Sequence, residues 1–165
     1  MHTEIKTGLI MKKVISNIRD LKLIEKELTK ELSGVLAIQL DDEKIYQTAT
    51  NYIYLDKNIY AFLQVDEDFY QQIRFDHLGS FTIHRPDNKF KGQNLFADAT
   101  YKLFSINING IVREVEDKKL IDQLIELYHK KYSQNTDLKE YKKGKKLKTI
   151  MIDTEEMQAF SEEGN

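Results

Sequence analysis

The feature that most constrains this chain is a series of short apolar and aromatic segments separated by tight polar turns. Val35 to Leu40 is a strand pattern, and Asp41-Asp42-Glu43-Lys44 ends it. Ile45 to Leu55, rich in Tyr, Thr and Ile, reads as one long strand, which Asp56-Lys57-Asn58 turns back into Ile59 to Leu63. Turns this short can join only antiparallel neighbours, because a parallel pair needs a long crossover. Gly79 to His84 is a fourth strand. Thr100 to Val115 alternates as a fifth, with Gly110 as the place where it continues or bends, and Leu147 to Ile152 is a last short one. Leu21, Ile24, Leu28 and Leu32 recur at helical spacing from Asp20 to Leu32, with Gly34 just past the end. Asp66 to Asp76 reads as a short helix. Asp117 caps a longer one whose Leu120, Ile121, Leu124, Ile125 and Tyr128 line one face. The expected fold is mainly β with peripheral helices: a small antiparallel barrel with the last helix packed outside it.

With 165 residues, one proline and seven glycines, the chain has room for one compact domain and little for linkers. The expected division is an N-terminal extension over 1–19 and a single domain over 20–165. Met11-Lys12-Lys13 looks like a second possible start. The opening Met1-His2-Thr3-Glu4-Ile5-Lys6 carries an acid and precedes no long apolar stretch, so it does not read as a signal peptide, and the cytoplasm is the expected location. No apolar run approaches the roughly 20 residues of a spanning helix. A formal net charge of −2 argues against nucleic acid as a partner. The absence of cysteine excludes disulfides, thiolate metal sites and cysteine nucleophiles.

The remaining signals are weak. His77, His84 and His129 have no zinc-binding spacing, so no metal site is expected. His84-Arg85 stands where the fourth strand meets Arg85 to Ala99, the longest irregular stretch, and is the one histidine pair worth placing; strand-end residues facing water are the plainer reading. Six lysines within 139–148 read as a solvated connector rather than a nucleic-acid contact. Tyr46, Tyr52 and Tyr54 share a face of the long strand if it is unbroken, a face suited to core or dimer packing. No Ser-His-Asp order, phosphate-cradling glycine loop or defined carboxylate pair is present, which argues against a hydrolase and leaves the catalytic residues unassigned.

Several segments resemble the FMN-binding split-barrel family that includes pyridoxamine 5′-phosphate oxidase. These are Gly34-Val35-Leu36-Ala37, Thr50-Asn51-Tyr52-Ile53-Tyr54-Leu55-Asp56, Ile59-Tyr60, Ile73-Arg74-Phe75-Asp76, Ser80-Phe81-Thr82-Ile83, and Ser105 to Asp117 with Lys131-Tyr132 after the helix. The similarity covers roughly 100 residues in the family's order. It implies a split β-barrel homodimer with flavins at its interface, binding a small molecule. It places Thr50, Asn51 and Tyr52 alongside the flavin ring.

The family's phosphate grip is a hydroxyl at the end of the third strand and a basic residue soon after. Aligned without gaps, those positions are Leu63 and Phe69, with Asp66-Glu67-Asp68 between them. Gln64 keeps a polar group there, and Arg74 or Lys57 would have to compensate. Two readings follow. In one, the protein binds FMN through Thr50, Asn51, Tyr52, Gln64 and Arg74 and acts as a flavin-dependent oxidoreductase. In the other, it is a flavin-less dimer that binds another ligand, such as haem, or serves as a scaffold.

Overall fold

The structure, a computed structural model, describes residues 13–86, 101–132 and 146–164. In chain order its elements are β1 (Lys13–Ile18), α1 (Leu21–Lys30), β2 (Gly34–Gln39), β3 (Ile45–Thr50), β4 (Ile53–Leu55), β5 (Asn58–Val65), α2 (Glu67–Gln72), β6 (Leu78–Pro86), β7 (Tyr101–Glu114), α3 (Lys118–Tyr132) and β8 (Lys146–Gly164). The strands form one curled antiparallel sheet in the order β3-β2-β6-β7-β8-β5-β4, with β1 added on β8. The antiparallel barrel expected from the turns is therefore present, as a split barrel.

Both early hairpins turn through left-handed residues. Asp42 and Glu43 sit at φ 60° and 57°, and Asp56 and Lys57 at 50° and 68°. Such paired positive φ values match the twist of the flanking strands, and Asp tolerates them because its short side chain can bond locally.

The last strand is much longer than Leu147 to Ile152. Its 19 residues pair with β7 along one edge, and with β5 and then β1 along the other. Two partners stacked along one edge let the sheet curl without closing. Between Asn109 and Gly110 the β7–β8 register shifts by a bulge. No other residue fits Gly110 unaltered, since a Cβ there would stand 2.1 Å from the Asp153 carbonyl oxygen.

Two further differences matter. The long strand expected over 45–55 is broken at Asn51-Tyr52 into β3 and β4. A strand, β1, precedes the first expected element and lies within the stretch set apart as an extension. Arg85 and Pro86 continue β6, while positions 87–99 of the expected irregular stretch and 139–145 of the lysine run lie outside the described residues.

The main core lies inside the curl, where Leu36, Ile38, Phe81, Ile83, Ile106, Ile108 and Ile152 meet Ile24 and Leu28 of α1. A second, smaller core joins Leu124 of α3 to Ile53, Tyr60 and Val115 on the outside. Asp117 accepts from the Lys119 backbone N–H (3.0 Å) at the start of α3, as expected. That helix turns Leu127 and Tyr132 to the second core along with Leu120, Ile121 and Tyr128.

Candidate functional site

Thr50, Asn51 and Tyr52 form the break between β3 and β4, and tertiary bonds explain why the strand stops there. The Tyr52 backbone N–H donates to the Tyr132 hydroxyl (2.9 Å), and the Tyr52 carbonyl accepts from Lys131 Nζ (3.2 Å). The single Tyr132 hydroxyl proton has two carbonyl acceptors in reach, Leu32 and Tyr52, each at 2.8 Å. Peptide groups that a ladder would use are thus spent on the end of α3. Thr50 Oγ1 donates to the Asn51 carbonyl (3.0 Å), tightening the turn.

The Tyr52 ring is wholly buried against Phe81, centroids 4.6 Å apart, and its hydroxyl donates to the Leu28 carbonyl (2.5 Å). Burial, with a smaller push from Tyr132, holds this phenol far above its usual pKa. Asn51 faces outward, and its amide donates to the Tyr128 hydroxyl (3.1 Å). Lys131 Nζ lies 3.9 Å over the Tyr52 ring and 5.4 Å from that of Tyr132. A helix C-terminus favours a cation. Burial outweighs that preference and pulls the amine down to about 8. Asn51, Tyr128 and Lys131 therefore form a patch of donors at one corner of the barrel. Sequence reasoning named Asn51 alone among them; the other two lie on α3, whose closing Lys131-Tyr132 was the available signal.

Gln64 and Arg74 stand elsewhere, on either side of α2. Gln64 is exposed near the end of β5, and the Arg74 backbone N–H donates to the Gln39 carbonyl (3.0 Å). Thr50 pairs with Gly34 and Ile45 with Gln39, so Thr50 and the Arg74 backbone lie at opposite ends of the β2–β3 hairpin. Five residues of strand separate those levels by about 17 Å. Within one protomer Thr50, Asn51 and Tyr52 stand together, and neither Gln64 nor Arg74 joins them.

The positions aligned with the family's phosphate grip do not fit a phosphate. Leu63 is 6% exposed and belongs to the main core. Phe69 packs edge-on against Tyr46 at 4.7 Å. The acids between them serve α2 itself: Asp66 accepts from the Phe69 backbone N–H (2.8 Å), and Glu67 and Asp68 occupy the first turn, where the helix dipole favours negative charge. Lys148 is the register partner of Leu63, but its amine is 3.3 Å from Glu114 and 4.0 Å over the Tyr70 ring. Burial, then a hydrogen bond to Glu114, raises the Tyr70 phenol well above its usual range.

His84 and Arg85 have structural partners. His84 Nδ1 and Ser105 Oγ share a hydrogen bond of 2.7 Å. Arg85 bonds Glu27 of α1 (2.5 Å) and Glu31, the C-cap of that helix, and lies 4.9 Å from the centroid of the Phe104 ring. Among the described residues no group of three or more His, Asp or Glu could hold a metal ion.

On the face away from the main core, a groove of about 320 Å³ crosses β2, β6 and β7. Ala37 pairs with Ser80 and Ser80 with Asn109, so small and uncharged side chains form its floor. Ile45, Gln39 and Leu78 form the rim, and the Gln39 amide donates to the Leu78 carbonyl (2.9 Å). No ionisable side chain lines it. Large apolar residues stand exposed on the same face: Val35 at 42%, Ile45 at 62% and Leu78 at 55%.

No family profile matches the sequence, and no curated protein does. Solved structures match its fold. A candidate pyridoxamine 5′-phosphate oxidase from Corynebacterium glutamicum superposes with a TM-score of 0.58 at 13% identity, over 90% of this chain and 98% of its own. A FAD-binding protein from Mesorhizobium loti gives 0.59 at 19% identity, over 90% and 98%. HutZ, the haem storage protein of Vibrio cholerae, gives 0.60 at 12% identity, over 85% and 94%. At such identities the likeness is one of architecture, and it agrees with the curled sheet, the strand order and the outer helix. The chain has the FMN-binding split-barrel fold of the pyridoxamine 5′-phosphate oxidase type.

Proposed function

We propose that the protein is a homodimeric flavin-binding split barrel of the cytoplasm, with FMN as cofactor and a small molecule as substrate of a redox reaction. The observation that carries this is the uncharged face of β2, β6 and β7 with its groove of about 320 Å³. Ligand pockets run from roughly 300 to 1,000 Å³, so the groove is the size of one flat ring system and too open to hold it alone. A second copy laid on Val35, Ile45 and Leu78 would cover both the exposed apolar side chains and the groove. The likeness to a FAD-binding protein and a candidate oxidase supports the flavin class. When bound, the flavin would supply the hydride or electron transfer, and the protein would orient it and exclude water.

The residues fit the two ends of FMN unequally. The uncharged floor of the groove suits a flat ring, whereas Thr50 and Asn51 do not line it. Leu63 and Phe69 offer nothing to a phosphate, so FMN would be held differently from the family's usual grip. The apolar filling at those positions and the likeness to a haem storage protein favour haem as the second reading.

The test is the visible absorption spectrum of the purified protein, repeated with excess FMN and, separately, with haem. A flavin spectrum with quenched fluorescence is expected. A haem band instead establishes the second reading, and no bound chromophore in any sample overturns both.

A further inference from the structure

The donor patch where β3 meets β4 has hydrogen-bonding capacity beyond the bonds it makes, and the charge of Lys131 rests on the Tyr52 and Tyr132 rings with no acid beside it among the described residues. Lys131 gives one ammonium proton to the Tyr52 carbonyl, and Asn51 gives one amide proton to Tyr128. The Tyr128 hydroxyl accepts that bond and keeps its own proton to donate. No carboxylate among the described residues joins them. Three cations elsewhere do sit on carboxylates: Arg85 on Glu27 and Glu31, Arg113 on Asp76 and Asp153, and Lys148 on Glu114.

A half-buried cation without a carboxylate partner is an unusual expense in a fold. Burial is the one cause acting on the Lys131 amine, with no opposing pull from an acid among the described residues. The titratable groups facing it are the phenols of Tyr52 at the break and Tyr132 on its own helix, both held protonated by burial. Tyr128 and His129 stand beside them. From α1 and the residues after it only the Leu28 and Leu32 carbonyls reach this cluster among the described residues.

We propose that the Lys131 ammonium, the Asn51 amide and the Tyr128 hydroxyl together bind the anionic group of the protein's ligand, a phosphate monoester or a carboxylate. This rests on the reading of the protein as a small-ligand-binding split barrel, and it orients the ligand. The charged end lies at the end of α3. The α2 end, where Glu67, Glu114 and Glu116 act on the Tyr70 phenol, repels it. An anion against Lys131 strengthens its hold on the proton, so binding near pH 8 takes up a proton.

The experiment compares FMN with riboflavin, which has the same ring and no phosphate, in the wild type and in Lys131→Gln. Affinities come from flavin fluorescence quenching at pH 7. In parallel, the Lys131 side-chain signal is followed by NMR through a pH titration, alone and with inorganic phosphate or acetate. FMN is expected to bind the wild type at least about tenfold more tightly than riboflavin, the scale of one charge-assisted hydrogen bond. That margin should vanish in Lys131→Gln while riboflavin binding is kept. Phosphate should raise the Lys131 titration midpoint, and an equal effect of acetate would identify the site with carboxylates as well. The same FMN margin in both proteins overturns the proposal and leaves flavin binding standing. If neither flavin binds, the flavin reading falls and the titration decides alone: a raised midpoint supports the anion site, and an unmoved one overturns it.

Discussion

Tyr52 shows how one residue can settle a local structure against its own strand preference. Its ring fills the main core against Phe81, its hydroxyl ties α1, and its peptide groups tie α3. Tyr52→Phe keeps the ring and removes the bond to the Leu28 carbonyl, leaving a buried acceptor unmet. The expected loss is about 1–3 kcal/mol, read as a lower urea midpoint with an unchanged slope. Lys131 gives a pH signature. Its folded pKa near 8 is below its ordinary 10.5, so the unfolded chain holds more protons between those values and stability rises with pH there. The phenols of buried Tyr52 and of partly buried Tyr54 and Tyr70 act oppositely, since their raised pKa values stabilise the fold below about 10 and the benefit is lost above it. Stability should therefore climb by about 1 kcal/mol from pH 8 and fall again above pH 10, the lysine's share being discounted because its amine is only partly buried. Lys131→Met should flatten the climb in denaturation curves taken across that range. Leu63 carries the plainest residue-level conflict with the resemblance. Leu63→Ser would restore the family's hydroxyl in a position that the core occupies, at an expected cost of about 3 kcal/mol.

Among the elements, α1 depends on β6 as much as on its own apolar face. Arg85 reaches from the strand to Glu27 in the last turn of the helix and to its C-cap Glu31, with its guanidinium near the Phe104 ring. Arg85→Ala should cost about 1–2 kcal/mol, since these groups are mostly covered and the pair is worth more than a surface bridge. Faster hydrogen exchange confined to the α1 amides would locate the loss. The elements legible in the sequence were those with local causes: the two hairpins from their acidic turns, α3 from its apolar face and Asp117, and α2 from its acids. The break at Asn51-Tyr52 had no local cause, since it is made by Tyr132 and Lys131 some 80 positions away. The length of β8 was hidden too, because Thr154-Glu155-Glu156 interrupts its apolar pattern where the β7–β8 register shifts. The candidate site was legible only in part: Thr50, Asn51 and Tyr52 stand together, but their partners on α3 are visible only once that helix is folded across them.

For the whole molecule, the consequential property is the face that the single chain leaves open. Its core is complete without that face, so the exposed Ile45 and Leu78 do not hold the protomer together. They can therefore be changed without confusing folding with assembly. A specific interface of standard size needs about 800 Å² from each partner, more than the groove alone, so the partner would have to lie across β3, β2, β6 and β7 together. Its floor of alanine, serine and asparagine lets a second sheet approach closely. Light scattering behind size-exclusion chromatography should give twice the 19.5 kDa chain mass for the wild type. Ile45→Lys with Leu78→Lys places two like charges on each copy, and facing copies would meet four, a repulsion that is not neutralised on a groove without ionisable side chains. The double variant should run as a monomer with unchanged far-ultraviolet circular dichroism. Flavin affinity should fall with it if the groove needs the second copy as its other wall. A monomeric wild type at micromolar concentration would remove the dimer from the argument. A monomeric double variant that binds flavin as well as the wild type would show instead that one barrel holds the ring unaided.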